Sequence, residues 1–385
     1  MRKVLLVLSI LILVAVAAVV FVSLREGGGS VASGYRAVSV LILEGPFKTY
    51  GENVRAGIEL ALDEVRELEK VDFAVNFVSF DGDPSRALEK IKTAVERDGH
   101  RFVLEVFGTA AALESVDYLN EHKVLAISGV DTGHLLTDKA GKYFFRIIPS
   151  DGEAVKALLQ WGRELGLDSA TIVAVNTDWG NGIKAMVQHY AKQYAMTLGE
   201  TISVDPSHTV FDPQVASLKA AGAKGVVLAL NPDQAGNFAR SLRATDFTTT
   251  VLGTDNLTAG EFSQAAGSAA SGFRYVLPPQ SPGSQTRAAV VEKLRGRLRL
   301  PAGEEPHPFA LYGYDAAWTL FRAIKGGGQD PEAAATFLRS YSGNGATGPI
   351  AFTERNDLKL TGDYQRFEIR ADPSTQRLAA TQVER

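Results

Sequence analysis

Short apolar strands alternate with amphipathic helices along most of this chain, in two rounds, and nothing else in the sequence restricts its fold as much. Ala37–Leu43 is an apolar run of strand length. Gly51–Leu68 places Val54, Ile58, Leu62 and Val65 at helical spacing. Val71–Phe80 alternates as a strand, and Asp83-Pro84-Ser85 opens a helix with proline in its first turn. Phe102–Val106 and Val124–Ser128 read as strands on either side of a helix over Ala110–Glu121. Such alternation predicts a parallel sheet with helices on both faces.

The rhythm restarts near residue 150. Helices are expected over Asp151–Leu165, Gly182–Tyr194, Asp212–Ala221 and Pro232–Arg243. Strands are expected between them over Ala170–Val175, Leu198–Val204 and Gly225–Leu230, with one more at Thr250–Gly253. The C-terminal third differs. Helices over Gln285–Leu298, Pro308–Lys325 and Pro331–Ser340 precede strands near Pro349–Phe352 and Gln365–Ile369. The expected architecture is α/β, two doubly wound parallel-sheet lobes joined by three crossovers, and 385 residues suffice for two such cores. Residues 35–150 and 280–348 are assigned to the first lobe, and 151–279 and 349–385 to the second. In doubly wound sheets ligands bind beyond the carboxyl ends of the strands, so the cleft between two facing sheets is the expected site.

Residues 1–34 form a separate unit. Arg2 and Lys3 precede Val4–Val22, which carries no charge. A spanning helix needs about 20 apolar residues, so this run reads as a membrane anchor or an unusually long signal helix. Positive residues on its N-terminal side place the rest of the chain outside the cytoplasm, in the periplasm or on the extracellular face, tethered unless the helix is cleaved. Arg25-Glu26-Gly27-Gly28-Gly29-Ser30 is a flexible linker, and Val31-Ala32-Ser33 offers a cleavage point.

Composition removes several classes of function. A net charge of −4 with scattered basic residues leaves no footprint for nucleic acid. The absence of cysteine excludes disulfides, a thiolate nucleophile, thiolate-bound zinc and a lipidated cysteine. The six histidines show no metal-ligand spacing. Gly343-Asn344-Gly345-Ala346-Thr347-Gly348 spells G-x-G-x-x-G, but a dinucleotide fingerprint follows a strand and opens a helix. This one follows a helix and precedes a strand, so it reads as a loop. No catalytic residue, metal or cofactor is expected.

Four strand-end loops carry the candidate binding residues. Gly108-Thr109 opens a helix whose free N–H groups suit a carboxylate, with Thr109 as its N-cap. Plain helix capping explains the same residues. Ser128–Gly133 presents small polar groups, including Asp131 and Thr132, with His134 just beyond. Trp179 in Asn176–Gly182 is either a lid over an apolar part of a ligand or a lobe-packing residue. Asp255 in Gly253–Asn256 is placed to take an ammonium group, or to cap a helix.

The order and spacing of several short segments then resemble a known family. These are Gly45-Pro46-Phe47-Lys48-Thr49-Tyr50-Gly51, Asp81-Gly82-Asp83-Pro84-Ser85-Arg86-Ala87, Phe145-Arg146 before Pro149-Ser150-Asp151, Asp178-Trp179-Gly180-Asn181-Gly182 and Gly313-Tyr314-Asp315-Ala316. The chain resembles the type I periplasmic substrate-binding proteins of branched-chain amino acid ABC transporters, the leucine/isoleucine/valine-binding group, over roughly Ala37–Ile369. The resemblance implies that Thr109, the Val130 backbone and Thr132 hold a ligand's α-carboxylate and part of its amino group. It implies that Asp255 takes the ammonium group, that Trp179 stands for the second lobe's usual aromatic residue, and that Tyr50 is a tyrosine of the cleft rim. Asn231 replaces a second-lobe tyrosine of the amino-acid binders, and Asp131 adds a negative charge beside Thr132. The resemblance thus implies a monomer that closes on an amino acid, amide or small acid and delivers it to an ABC permease. A membrane-tethered sensor or partner-binding module of the same fold is the alternative.

Overall fold

The computed structural model describes residues 34–258, 260–279, 284–301, 304–371 and 378–383. Its first sheet holds β1 (Tyr35–Leu41), β2 (Phe73–Ser79), β3 (Phe102–Val106), β4 (Leu125–Ser128) and β5 (Phe144–Arg146), in the order β2-β1-β3-β4-β5 and all parallel. The inner strands are buried on both faces, as a parallel sheet covered by helices requires; all five residues of β3 are buried. The helices are α1 (Lys48–Glu64), α2 (Pro84–Lys92), α3 (Thr109–Glu121) and the short α4 (Leu135–Lys139). Asp83 caps α2 by accepting the Ser85 N–H at 2.9 Å, with Pro84 at the first position, where its missing N–H costs nothing.

The second unit alternates α5 (Asp151–Glu164), β6 (Ser169–Val175), α6 (Asp178–Tyr190), β7 (Thr197–Leu198), β8 (Ile202–Val204), α7 (Asp212–Ala220), β9 (Gly225–Ala229), α8 (Pro232–Arg243), β10 (Thr250–Gly253), α9 (Gly260–Ala266) and β11 (Arg274–Leu277). Successive side chains of its strands enter different cores: Val226 and Leu228 join one apolar cluster, Val227 and Ala229 the other. That period of two is the mark of a sheet wound with helices on both faces.

The chain returns to the first lobe through α10 (Gln285–Leu298), α11 (Pro308–Gly327) and α12 (Pro331–Arg339). The backbones of α11 and α1 touch: a Cβ at Gly57 would stand 1.9 Å from the Ala310 carbonyl oxygen. The hairpin β12 (Ser342–Asn344) and β13 (Pro349–Ala351) comes next. The last strands, β14 (Gln365–Ala371) and β15 (Leu378–Gln382), extend the second sheet beyond β11. The path therefore crosses between the sheets after β5, after β11 and after β13.

Several expectations change in detail. Strands β14 and β15 run antiparallel, so the second sheet is not wholly parallel. The segment expected as one strand over Leu198–Val204 is two short strands, both beside β6. Helix α6 starts earlier than Gly182 because the Thr177 hydroxyl accepts the Gly180 N–H and fixes the first turn. The glycine-rich segment 343–348 is the turn of a hairpin, closed by Gly345 N–H to the Gly348 carbonyl at 2.8 Å. A lobe boundary at 348/349 cuts that hairpin. Phe352 packs edge-on against Phe145, and Asp357 pairs with Arg146 at 2.6 Å, so residues 349–357 pack on the first sheet. The apolar run Val4–Val22 and its linker lie outside the described residues. Among the described residues, no helix is long and apolar enough to cross a membrane.

Candidate ligand-binding cleft

The carboxyl ends of β4, β5, β10 and β11 meet around a small cavity lined by Thr132, Asp151, Asp255, Phe309, Tyr312 and Tyr364, among others. Its free volume is about 20 Å³, room for a water molecule and little more. The lobes thus stand closed on one another, and a solute of amino-acid size enters only when they part. A roomier groove of about 470 Å³ lies on the first lobe beside Glu44, Phe80 and Asp81. It is open to solvent, and its Arg86 and Asp81 already pair with each other at 2.7 Å, so it does not compete as the site.

The first-lobe wall is fixed from beneath by buried ionisable side chains. Glu105 has φ of 69°, an unusual backbone for a non-glycine residue, and sits where the β1–β3 register shifts. There its carboxylate faces the loop after β4, accepting the Gly129 N–H at 2.9 Å and the Ser128 hydroxyl at 2.9 Å. The Ser128 hydroxyl oxygen in turn accepts the N–H groups of Val130 and Asp131 at 3.2 and 3.1 Å. Asp131 Oδ1 accepts the Gly108 N–H at 2.9 Å and so ties this loop to the one after β3. Burial and the charge of Asp131 push Glu105 up to about 8, and burial pushes Asp131 to about 7. The fully buried Arg146 guanidinium completes the floor. It holds Asp357 at 2.6 Å, donates to the Gly133 carbonyl at 2.7 Å and to the Asp131 carbonyl at 3.2 Å, and reaches the Thr137 hydroxyl at 2.6 Å.

This arrangement places the sequence-derived candidates unevenly. Thr132 and Asp255 line the cavity. Asp131 is buried beneath its loop and engaged there rather than pointing into the cavity. The Val130 N–H is committed to Ser128, so backbone recognition by this residue falls to its carbonyl. Gly108, with φ of 105°, is the N-cap of α3; Thr109 is the first helical residue and its methyl lies under Gly133. Trp179 is half-buried and lies near the Asp151 carboxylate, whose ionised form it favours. Asn231 is the N-cap of α8, its own N–H donating to Gln234 Oε1 at 3.3 Å as half of a capping box. Tyr50 donates its hydroxyl to the Asp255 carbonyl at 3.3 Å across the mouth of the cleft.

Other contacts cross beside it. The Thr49 N–H donates to Glu261 at 3.3 Å. His307 is packed against the Tyr50 ring, 4.6 Å between centroids, and burial lowers its imidazole to about 3, so it is neutral. Its Nδ1 accepts the Phe309 N–H, which leaves the proton on Nε2 to donate to the Thr258 hydroxyl at 2.7 Å. His134 meets the second lobe at Gly182.

Asp151, Tyr312 and Tyr364 were not anticipated. Asp151 reads in sequence as the start of a helix after a serine cap, which it also is. Its carboxylate is buried, and burial together with the charge of Asp255 pushes it up to about 7. Burial also raises Asp255. Tyr312 on α11 and Tyr364 before β14 come from distant parts of the chain, and only the crossovers bring them to the cleft.

A family model described as periplasmic binding protein matches residues 39–374. The leucine-, isoleucine-, valine-, threonine- and alanine-binding protein of Pseudomonas aeruginosa is 24% identical over 333 residues, covering 85% of this chain and 88% of that protein. Among solved structures, a leucine-binding protein from Thermotoga maritima superposes with a TM-score of 0.81 at 18% identity, covering 90% of this chain and 97% of that one. A solute-binding protein from R. palustris in complex with benzoate gives 0.78 at 18% identity, covering 92% and 98%. Two wound sheets, three crossovers and a cleft at their carboxyl ends agree with a family match over most of the chain: it belongs to the periplasmic binding proteins, a family of solute binders and not of enzymes.

Proposed function

We propose that the chain is the extracytoplasmic solute-binding component of an ABC importer, closing by a hinge over an amino acid or a related small polar molecule. The observation that carries this reading is the cleft itself. Groups from both lobes and from both sheets' carboxyl ends converge on one cavity, with acids and aromatic rings together. The solute docks on the preformed first-lobe loops, and the second lobe then closes and removes water, which strengthens each charged contact. Relatives named for leucine, isoleucine and valine support an amino-acid-like ligand. Thr132 and Asp255 are the contact residues, Trp179 and Tyr50 close over them, and the closed monomer presents both lobes to a permease.

The apolar run Val4–Val22 and its glycine linker favour a second reading, a membrane-tethered ligand sensor of the same fold. Calorimetry with a panel of amino acids, amides and small acids tests the main proposal. Thr132→Ala and Asp255→Ala should each weaken the best ligand about tenfold or more, the effect of removing a hydrogen bond to a charged group, without altering the melting temperature. Unchanged affinity in both variants overturns the site.

A further inference from the structure

Among the described residues, two carboxylates line the cavity, and no cationic side chain does. Asp151 reaches it from the first turn of α5, and Asp255 from the end of β10. Asp151 is 2% exposed, and its Oδ2 makes no hydrogen bond. None of the residues lining the cavity is Lys, Arg or His. Cations nearby are paired with other groups: Arg146 with Asp357 and the loop carbonyls, Lys156 with Glu153 at 2.8 Å, and Arg287, whose charge reaches Tyr312, with Glu305 at 3.0 Å. The rest of the wall is largely apolar or aromatic, with Phe309, Tyr312 and Tyr364 beside the two acids.

Resting on the solute-binding reading above, we infer that the ligand carries a net positive charge: an amine or amidine whose cationic nitrogen lies between Asp151 and Asp255, its body against Phe309, Tyr312 and Tyr364. Two buried carboxylates without a counter-ion are unfavourable, and a cation relieves both at once. Aromatic faces add attraction for the same charge. A carboxylate on the ligand would instead approach like charge in a site that excludes water. Because burial and the charge of Asp255 raise Asp151 to about 7, it carries a proton at pH 6, and the entering cation displaces that proton to solvent.

Three probes of one four-carbon body isolate the charge: 1,4-diaminobutane, 4-aminobutanoate and butanedioate, with L-leucine as a family-type reference. They are titrated calorimetrically into the full chain at pH 6 in two buffers of different ionisation enthalpy, which counts protons. The diamine should bind at least about tenfold tighter than 4-aminobutanoate, with proton release, and butanedioate should not bind. Asp151→Asn should remove the proton release and about tenfold of the diamine's affinity, leaving that of 4-aminobutanoate within about threefold. Asp255→Asn, the second variant should the first not fold, should weaken both. Leucine or 4-aminobutanoate binding as tightly as the diamine, or tighter, overturns the cationic ligand and leaves the solute-binding reading standing. Binding of none of the four overturns both.

Discussion

Beneath the 128–133 loop, hydrogen bonds are made within one lobe, and many end on two buried ionisable side chains, Glu105 and Arg146. Glu105 takes Ser128 and Gly129 at 2.9 Å, and Arg146 takes Gly133 at 2.7 Å and Asp357 at 2.6 Å. At the mouth of the cleft the bonds join the two lobes and are only partly buried: Tyr50 to Asp255 and Thr49 to Glu261 at 3.3 Å, and His307 to Thr258 at 2.7 Å. A hydrogen bond between neutral groups, as from Tyr50 to the Asp255 carbonyl, contributes about 1 kcal/mol. Stripping one partner from a buried ion pair costs about 3–5 kcal/mol. The two regions therefore separate in energy. The floor stays assembled while the mouth opens, and the loops that meet a solute first are shaped before it arrives.

The largest test of that contrast is Arg146→Ala. It leaves two buried loop carbonyls and the partly exposed Asp357 without their donor, and the expected loss is about 3 kcal/mol, or roughly 10 °C in thermal unfolding followed by circular dichroism. A drop of only a degree or two would mean that the floor is no more rigid than the mouth.

Glu105→Gln tests the floor through pH. The folded carboxyl titrates at about 8, far above its ordinary value of 4.5. The stability it contributes is fully present below pH 4.5 and is lost as pH rises through 8, because the unfolded chain ionises first. Glutamine keeps a carbonyl acceptor and cannot ionise. The wild type should lose up to about 4 kcal/mol more than the variant between about pH 5 and pH 8. Parallel stability curves, from urea unfolding at each pH, would show that Glu105 is not held neutral.

The same division decides what could be read from the sequence. The wound sheets were legible because each strand and helix announces itself within ten or fifteen residues: Phe102–Val106, Pro232–Arg243 and Thr250–Gly253 fall where periodicity puts them. Strand β5, only three residues long, is too short for a pattern, and β15 is known as a strand only by its pairing with β14. In the cleft, Asp255 and Thr132 were accessible as polar residues at strand ends. Asp131 has the same local signature, yet the loop turns it inward to hold Gly108. Asp151 was hidden behind its role as a helix start, and Tyr312 and Tyr364 meet it only through the second and third crossovers. Local sequence names the residue type at a strand end; which way the side chain turns depends on donors supplied from elsewhere in the chain.

Tyr50→Phe is the smallest change and addresses the mouth alone. The ring keeps its packing on His307 and Phe309, at 4.6 and 5.2 Å, and loses only the hydroxyl that reaches the Asp255 carbonyl. Burial and the acids nearby keep the phenol protonated, so it donates throughout the neutral range. About 1 kcal/mol should leave the closed state, and the dissociation rate of the bound solute should rise about fivefold in stopped-flow measurements. The melting temperature should stay within about 2 °C of the parent. The reverse pattern, lost stability with an unchanged dissociation rate, would assign Tyr50 to the packing of the first lobe and leave Thr49 and Thr258 as the bonds that hold the cleft shut. An increase well beyond tenfold would make the mouth as strongly built as the floor, and closure would then be slow to reverse once a solute is inside.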